Sequence, residues 1–289
     1  MKQLRPKLAN TAPVSGRTPA GHANSRVSVW ALWGGITGAL LAFALNLPAQ
    51  WLANGVHAAT HGQVQLQEAQ GSVWKGSGKL VLTGGAGSRD ALALPGPVHW
   101  HMHFSLNESV LPSLNLDITA ACCTPQAVKL HVTPLPSLNA LQLKVEDHQS
   151  NWPAQWLSGL GAPWNTLQPE GNLVLETQQW GVRFGRQETQ VFGRLSLTAY
   201  NLSSKLSTLR PMGTYQLSLA SDSARSQQAR LSLTTQSGSL LLTGQGQWQG
   251  TQFQFRGEAS AVPEHAAALS NLLNIIGRRQ GARSLLSLG

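Results

Sequence analysis

The sequence is poor in charged residues. Only 11% of its 289 residues are charged and 12 residues are acidic, whereas an average soluble chain carries about 25% charged residues. This scarcity excludes a coiled coil and a highly charged disordered chain, and it leaves few carboxylates for acid–base catalysis. The apolar share of 42% suffices for a hydrophobic core, and the length suits one large or two ordinary domains.

Acidic residues are absent from both ends of the chain. Residues 1–26 contain five cations and no acid, and residues 277–289 contain three arginines and no acid. The net charge of +9 therefore lies mainly at the two ends, and the body between them is nearly neutral. Because this body has no basic stripe interleaved with aromatic residues, we expect no binding to nucleic acid.

Charge is also absent from the 21 residues Val27 to Leu47. At about 1.5 Å per residue, a helix of this length spans the ~30 Å hydrocarbon core of a bilayer. Trp30, Trp33 and Trp51 lie near its ends, where tryptophan commonly anchors membrane helices. The alternative is a cleaved signal peptide, but its apolar region is normally about 7–15 residues long. We therefore expect an uncleaved transmembrane helix at 27–47.

The cations before this run predict its orientation, because positively charged flanks stay in the cytoplasm. Residues 1–26 are then a basic cytoplasmic tail, expected to be disordered. The residues that follow the helix lie outside the inner membrane, in the periplasm. The predicted location is a single-pass inner-membrane protein with a periplasmic C-terminal domain.

The body of the chain is typical of antiparallel β-sheet. In Val98–Leu106, five apolar side chains fall on one face, and His99, His101 and His103 fall on the other. A period of two indicates half-buried strands, which antiparallel sheets accommodate. The polar faces consist mostly of Gln, Ser, Thr, Asn and His. The same alternation recurs at Leu114–Ile118, Val128–Val132, Leu141–Val145, Leu195–Ala199, Tyr215–Leu219, Leu231–Leu233 and Phe253–Phe255.

Two segments are predicted to be short helices, Pro153–Leu160 and Pro263–Ile276. The second has proline at its start, apolar residues at helical spacing, and glycine at its end. The sequence Pro-Ala-Gln-Trp-Leu occurs twice, from Pro48 and from Pro153, and a strand opened by glycine follows each copy. We therefore expect two related β halves, at 48–148 and 149–276, followed by a basic C-terminal tail at 277–289.

No motif of a nucleotide-binding enzyme, serine hydrolase or zinc protease occurs in the sequence. We therefore expect a protein that is not an enzyme and that has no cofactor. His99, His101 and His103 are weak candidates for metal ligands, since three imidazoles on one strand face can bind zinc. The simpler interpretation is a solvated strand face, and a metal-dependent hydrolase at these histidines is the least favoured function.

The two cysteines, Cys122 and Cys123, are adjacent. Neighbours on a regular strand point to opposite faces, so a disulfide between them requires a local turn, with which Pro125 is compatible. The sequence leaves three states open: a vicinal disulfide, bonds to a partner, or free thiols.

Glycine, proline and aromatic residues recur among the predicted strands in an arrangement that resembles the type II secretion system protein N family. The segments that carry the resemblance are 71–78, 94–100, 209–215, 234–248 and 272–281. Their motif residues are Gly71, Trp74, Gly76, Pro95, Gly96, Pro211, Gly213, Tyr215, Gly244, Gly246 and Trp248. The resemblance implies an inner-membrane subunit of the apparatus that exports folded proteins across the outer membrane, and it provides no catalytic residues.

Two functions follow from these observations. The first is a non-enzymatic subunit that contacts other type II secretion subunits through its sheet domain. The alternative is a membrane-anchored β-trough that binds or transfers lipid in the periplasm, with acyl chains lying against the alternating apolar faces.

Overall fold

The computed structural model describes residues 25–106, 112–135, 139–186, 189–221, 229–249 and 252–288. The chain divides into two compact units, residues 1–45 and residues 46–289. In the first unit, helix α1 runs from Ser25 to Leu45; residues 1–24 of the predicted basic tail lie outside the described residues. Within the part of the chain that is described, none of the helices combines the length and the apolar character needed to cross a membrane.

The second unit is built on one antiparallel sheet, to which sixteen strands belong among the described residues. Helix α2, Ala49–Ala59, precedes the sheet. Strands β1 to β8 are Val64–Gly71, Lys75–Thr83, Ala91–Ala93, Val98–Leu106, Pro112–Ala120, Val128–Leu135, Ala140–Val145 and His148–Pro153. Strands β9 to β16 are Pro169–Phe184, Thr189–Ser204, Gly213–Ser221, Ala229–Gly238, Leu240–Gln249, Gln252–Ala261, Arg278–Gln280 and Arg283–Leu288.

The strands follow one another across the sheet almost in chain order. The path runs β1-β2-β4-β5-β6-β7-β9-β10-β11-β12-β13-β14-β16-β15, while β3 pairs with β2 and β8 pairs with β9. The described strands therefore form a long, open meander, as the mainly β prediction required. Local hydrogen-bonded hairpins account for most of the pairings, because consecutive antiparallel strands need only a short connection.

The alternation in the sequence corresponds to two distinct faces of this sheet. Strand β4 occupies the predicted range, with Val98 and Trp100 buried and His99, His101 and His103 exposed. The pairing register continues both faces onto the neighbouring strands, since cross-strand partners lie on the same side. The side that bears these histidines and runs on to β14 is called the polar face, and the opposite side is called the apolar face.

A first buried core forms where the last helix covers the sheet. Helix α4, Ala266–Ile276, follows a 3₁₀-turn at Pro263–His265, in agreement with the predicted helix Pro263–Ile276. Its Leu269, Leu272 and Leu273 are at most 2% exposed. They pack with the sheet residues Met212, Tyr215, Leu240 and Ala259.

A second, smaller core lies near the other predicted helix, which is a 3₁₀-helix at Ala154–Leu160. Its buried members are Leu94, Val98, Ala120 and Cys123, and Trp152 and Trp156 pack against them. A further short helix, α3 at Trp164–Leu167, follows; it has no periodic signal in the sequence because a single turn is too short to show one.

The repeated Pro-Ala-Gln-Trp-Leu sequence takes similar positions at its two sites. Pro48 and Pro153 both have extended backbone, and each precedes a helix. Ala49 and Ala154, the residues that follow, are both fully buried. The helices differ, however, since one is an α-helix and the other a 3₁₀-helix. The division into two related halves stays a prediction.

The C-terminal residues differ from the expected basic tail. Strand β16 pairs with β14, and β15 pairs with β16, so residues 278–280 and 283–288 extend the sheet. Ser284 is fully buried and donates a 2.6 Å hydrogen bond to the carbonyl of Leu273. The alternation in Arg283–Leu288 is only six residues long and follows a basic cluster, which is why composition alone indicated a tail.

Both ends of the sheet are protected against the addition of further strands. At one end α2 packs against β1, Gln50 Nε2 donates to Ala69 O at 3.3 Å, and Glu68, with a φ of 52°, interrupts the register. At the other end β15 is three residues long and carries two exposed arginines. Short, charged or bulged edges resist pairing with another chain.

Candidate functional site

The part of the polar face with the most titratable groups lies on β4, β5 and β6. We call it the histidine face and define it by His99, His101, His103, Asp117 and His131. Antiparallel pairing places His99 opposite Thr119, His101 opposite Asp117, and His103 opposite Asn115. Asn115 in turn lies opposite His131 on β6.

A hydrogen-bonded network occupies one side of the histidine face. His131 Nε2 donates to Glu146 Oε1 at 2.9 Å, and His131 Nδ1 lies 2.6 Å from Asn115 Oδ1. Asn115 Nδ2 donates to Ser105 Oγ at 2.7 Å, and the two hydroxyls of Ser105 and Ser113 are 2.8 Å apart. Because Ser113 and Asn115 are buried, these bonds satisfy polar atoms that have little access to water.

The carboxylate of Glu146 is the charged end of this network. The hydrogen bond from His131 lowers the pKa of Glu146, and the positive charge of Lys129 acts in the same direction, whereas partial burial acts in the opposite one. Lys129 Nζ lies 3.4 Å from Glu146 Oε2. The network thus joins β4, β5 and β6 to the residue that follows β7, and it holds Glu146 ionised.

The predicted histidine trio is only partly brought together. The ligand atoms of His101, His103 and Asp117 all lie within 4.8 Å of one another, and the rings of His101 and His103 are stacked with centroids 5.3 Å apart. His99 is exposed on the same strand face but is not a member of this group.

The sequence did not reveal Asp117, Asn115, His131, Lys129 and Glu146 as partners. Asp117 and His131 occupy polar positions of strands that the alternation did predict. A prediction of strand pairing would have been needed to place them beside the histidines.

Cys122 and Cys123 form a vicinal disulfide in the turn after β5. The Cys123 amide donates to the carbonyl of Ala120 at 2.9 Å, which forms the local turn that such a bond requires. Cys123 is 2% exposed and belongs to the smaller core, whereas Cys122 is exposed. The disulfide therefore lies apart from the histidine face.

The motif residues at the start of the sheet form a structural contact. Trp100 Nε1 donates to the carbonyls of Ser72 and Val73 at 3.2 and 3.1 Å, and its ring covers Gly76, the residue opposite it on β2. Gly71, with a φ of +88°, begins the turn between β1 and β2. The ring centroids of Trp74 and Phe104 are 5.5 Å apart.

The remaining motif residues form similar contacts between glycine and aromatic rings. The ring of Tyr215 covers Gly213, and the rings of Phe255 and Phe253 cover Gly244 and Gly246. Burial raises the pKa of Tyr215. The ring centroids of Trp248 and Phe253 are 4.7 Å apart. Pro95 and Gly96 form the turn before β4. The peptide bond between Arg210 and Pro211 is cis. None of these described motif residues lies on the histidine face.

Fold and surface together define a class of protein: a mainly β chain with one open antiparallel sheet, which has glycine–aromatic contacts and a hydrogen-bonded polar face. The sequence model of a family described as type II secretion system (T2SS), protein N, matches residues 62–285. The chain belongs to this family and is thus a type II secretion subunit. No curated protein and no solved structure matches the chain significantly.

Proposed function

We propose that this chain is a non-enzymatic, single-pass inner-membrane subunit of the type II secretion system, taking part in the export of folded proteins from the periplasm across the outer membrane. The observation that carries the proposal is the family match, which begins just before β1 and ends within β16. Since the match covers the sheet as a whole, the sheet domain is the part of the chain that performs the role common to the family.

The anchoring role of α1 is supported by the character of its surface. Large apolar side chains are exposed on its residues 29–45, among them Trp30 at 79% and Leu40 at 64%. The other residues of this stretch are alanine, glycine and one threonine. A helix without a polar face requires an apolar environment. Together with the five cations and absent acids of residues 1–26, this surface favours a membrane anchor with its N-terminus in the cytoplasm.

The polar face is the surface that we favour for contacts with other secretion subunits. Both ends of the sheet are protected, so addition of a partner strand is disfavoured. The polar face continues from β4 to β14, and its exposed positions include Thr119 on β5 and Thr243 on β13. Amides, hydroxyls and imidazoles outnumber charged groups on this face, but charges such as Lys144, opposite His131, and Arg256, opposite Gln245, also lie on it. A partner that covers the face therefore has to pair these charges.

Site-specific photo-crosslinking tests this surface. A photoreactive residue at Thr119 or Thr243 should form adducts with other secretion subunits in cells, whereas one at Leu106 on β4 or Leu141 on β7, which are exposed on the apolar face, should not. Adducts at the apolar-face positions alone would contradict the polar face as the contact surface. Absence of adducts at all four positions, together with normal export of secreted proteins after deletion of the gene, would contradict the proposed function.

The topology is tested by reporter fusions. Alkaline phosphatase, which is active only outside the cytoplasm, should be active when fused after residue 289 and inactive when fused before residue 1. Exchange of the five cations of residues 1–26 for serine should weaken this orientation, since they keep the N-terminus inside. An inactive C-terminal fusion in a chain with its natural N-terminus would overturn the topology.

A second candidate function is lipid binding, and the apolar face favours it. Cross-strand neighbours such as Leu116 and Leu130, and Leu143 and Val182, line this face between the two cores, yet all four remain only half-buried. If the face binds acyl chains, phospholipid should co-purify with the full chain in detergent and be identified by mass spectrometry.

The adjacent residues Leu143 and Lys144 provide a matched pair for this test, because they lie on opposite faces of β7. The change Leu143→Gln should reduce the bound lipid, whereas Lys144→Gln should leave it unchanged. A natural chain without bound lipid would exclude this second function.

A further inference from the structure

Three metal-ligating side chains come together on the histidine face, although they come from two strands. His101 and His103 are two residues apart on β4 and project to the same side, and Asp117 on β5 lies directly opposite His101. One ligand atom from each lies within 4.8 Å of the other two. The pairing register fixes this arrangement, because a shift of one residue between β4 and β5 would turn Asp117 to the apolar face.

The side chains of His101, His103 and Asp117 are accessible to a ligand from solvent. Both imidazoles are exposed and Asp117 is half-buried, and among the described residues no hydrogen bond or ion pair engages any of the three side chains. His131, by contrast, is held by Asn115 and Glu146. A ligand that approaches from solvent therefore need not break a hydrogen bond or an ion pair to reach His101, His103 and Asp117.

The ligand set fits a divalent transition metal. Imidazole nitrogen and carboxylate oxygen both bind zinc at about 2.0–2.2 Å, which places tetrahedral ligand atoms about 3.4 Å apart. The separations of up to 4.8 Å exceed this value, so the two exposed imidazoles have to rotate towards Asp117 when the ion binds. Three protein ligands leave a fourth position open to water or to a group from a partner.

We propose that His101, His103 and Asp117 bind one divalent transition-metal ion, and that zinc occupies the site with one open coordination position. The ion bridges β4 and β5 on the histidine face. Two lysines border the site: Lys75 lies opposite His101 on β2, and Lys129 lies opposite Asp117 on β6. Lys129 is paired with Glu146, which partly neutralises the charge that would repel the metal.

Calorimetric titration of the full chain in detergent with Zn²⁺ tests the site, provided that the chain is purified without a histidine tag. We expect one zinc ion per chain at this site. Loss of groups that merely orient zinc ligands weakens binding by about 10–100-fold, so loss of a ligand itself should weaken it by at least about tenfold. His103→Gln and Asp117→Asn should show this weakening.

The matched control is His99→Gln, because His99 lies on the same strand face but does not belong to the group of His101, His103 and Asp117. This variant should bind zinc as the natural chain does. Zinc should also raise the unfolding temperature of the natural chain and of His99→Gln, and not that of His103→Gln, since a ligand that binds the folded state stabilises it. Far-UV circular dichroism checks that each variant is folded.

Two results would overturn the proposal. One is the absence of saturable zinc binding by the natural chain. The other is an equal loss of binding in His99→Gln and His103→Gln, which would indicate nonspecific binding by exposed imidazoles.

Discussion

Aromatic rings lie over glycines at several motif positions, and these contacts explain at the residue scale why the motif contains glycine. At Gly76, an added Cβ would lie 2.5 Å from Trp100 Cζ2, a distance that packed carbon atoms do not adopt. The Cβ would lie even closer to the backbone carbonyl oxygen of Gln70 on β1. The Trp100 ring and the neighbouring strand can therefore both approach position 76 this closely only because it has no side chain.

The change Gly76→Ala should lower the free energy of unfolding by about 1–3 kcal/mol, because an extra methyl group forces the Trp100 ring or the strand to move. Gly55→Ala is the control, since a Cβ at Gly55 in α2 would meet no atom within 4 Å. The control should stabilise the chain by up to about 1 kcal/mol through helix propensity. Urea unfolding measures both; a Gly76→Ala variant as stable as the control would refute the packing argument.

The network of Glu146 predicts a pH dependence. The pKa of Glu146 is held below its ordinary value of 4.5 by His131 and Lys129, so the ionised carboxylate favours the folded state. This contribution is present above about pH 4.5 and is lost as the pH falls through the lower pKa of the folded state.

Glu146→Gln should therefore reduce stability near neutral pH, by less than about 1 kcal/mol because the ion pair is largely exposed. The difference from the natural chain should disappear in acid. Urea unfolding near pH 7 and near pH 3 measures it. Glu176→Gln on β9 is the control, because it removes a carboxylate that forms no ion pair or side-chain hydrogen bond with the described residues. A difference that grew in acid would contradict the assigned sign.

Helix α4 shows at the scale of an element how the sheet acquires a buried core. Proline at the start and the apolar spacing set its boundaries locally. Its Leu269, Leu272 and Leu273 then bury themselves against β11, β13 and β14. Strands β15 and β16 follow directly and close that end of the sheet, so the helix and the strands after it form one packed unit.

The change Leu272→Ala should lower the free energy of unfolding by about 2–5 kcal/mol, since it removes a fully buried side chain and leaves a cavity. Ile275→Ala on the same helix should change it by no more than about 0.5 kcal/mol, because Ile275 is 42% exposed. Chemical denaturation of both variants measures the difference. Equal effects would mean that α4 does not pack on the sheet in this orientation.

The whole molecule consists of two units with separate sources of stability. Both cores and all described strands lie within residues 46–289. Residues 46–289 should therefore fold without the first unit, with an unchanged β-sheet spectrum and cooperative unfolding. Circular dichroism on heating tests this.

A chain that begins at residue 64 is the matched comparison for this prediction. It lacks α2 and the fully buried Ala49 and leaves the edge of β1 uncovered, so it should unfold at a lower temperature. If residues 46–289 failed to fold while the full chain did fold, the division into independent units would be wrong.

Much of the fold was predictable because its signals are local. The alternation in Val98–Leu106 matched β4 to the residue, since a period of two depends only on neighbouring positions. The helix before Gly277 was predictable for the same reason. The recurring glycine and aromatic residues were sufficient to indicate the family. Their physical basis is a ring above a glycine on the same or a neighbouring strand, and only the tertiary structure shows this contact.

The sequence by itself therefore determined the class of the fold, the alternation of its faces and the family to which the chain belongs. Only the tertiary structure decided that Asp117 lies opposite His101, that Glu146 meets His131, and that residues 283–288 form a strand. The physical reason is that a strand's pattern specifies which side chains share a face, whereas its partner and register depend on the path of the whole chain. The candidate site consists of cross-strand neighbours, so the pattern of residues along a single strand could not predict it.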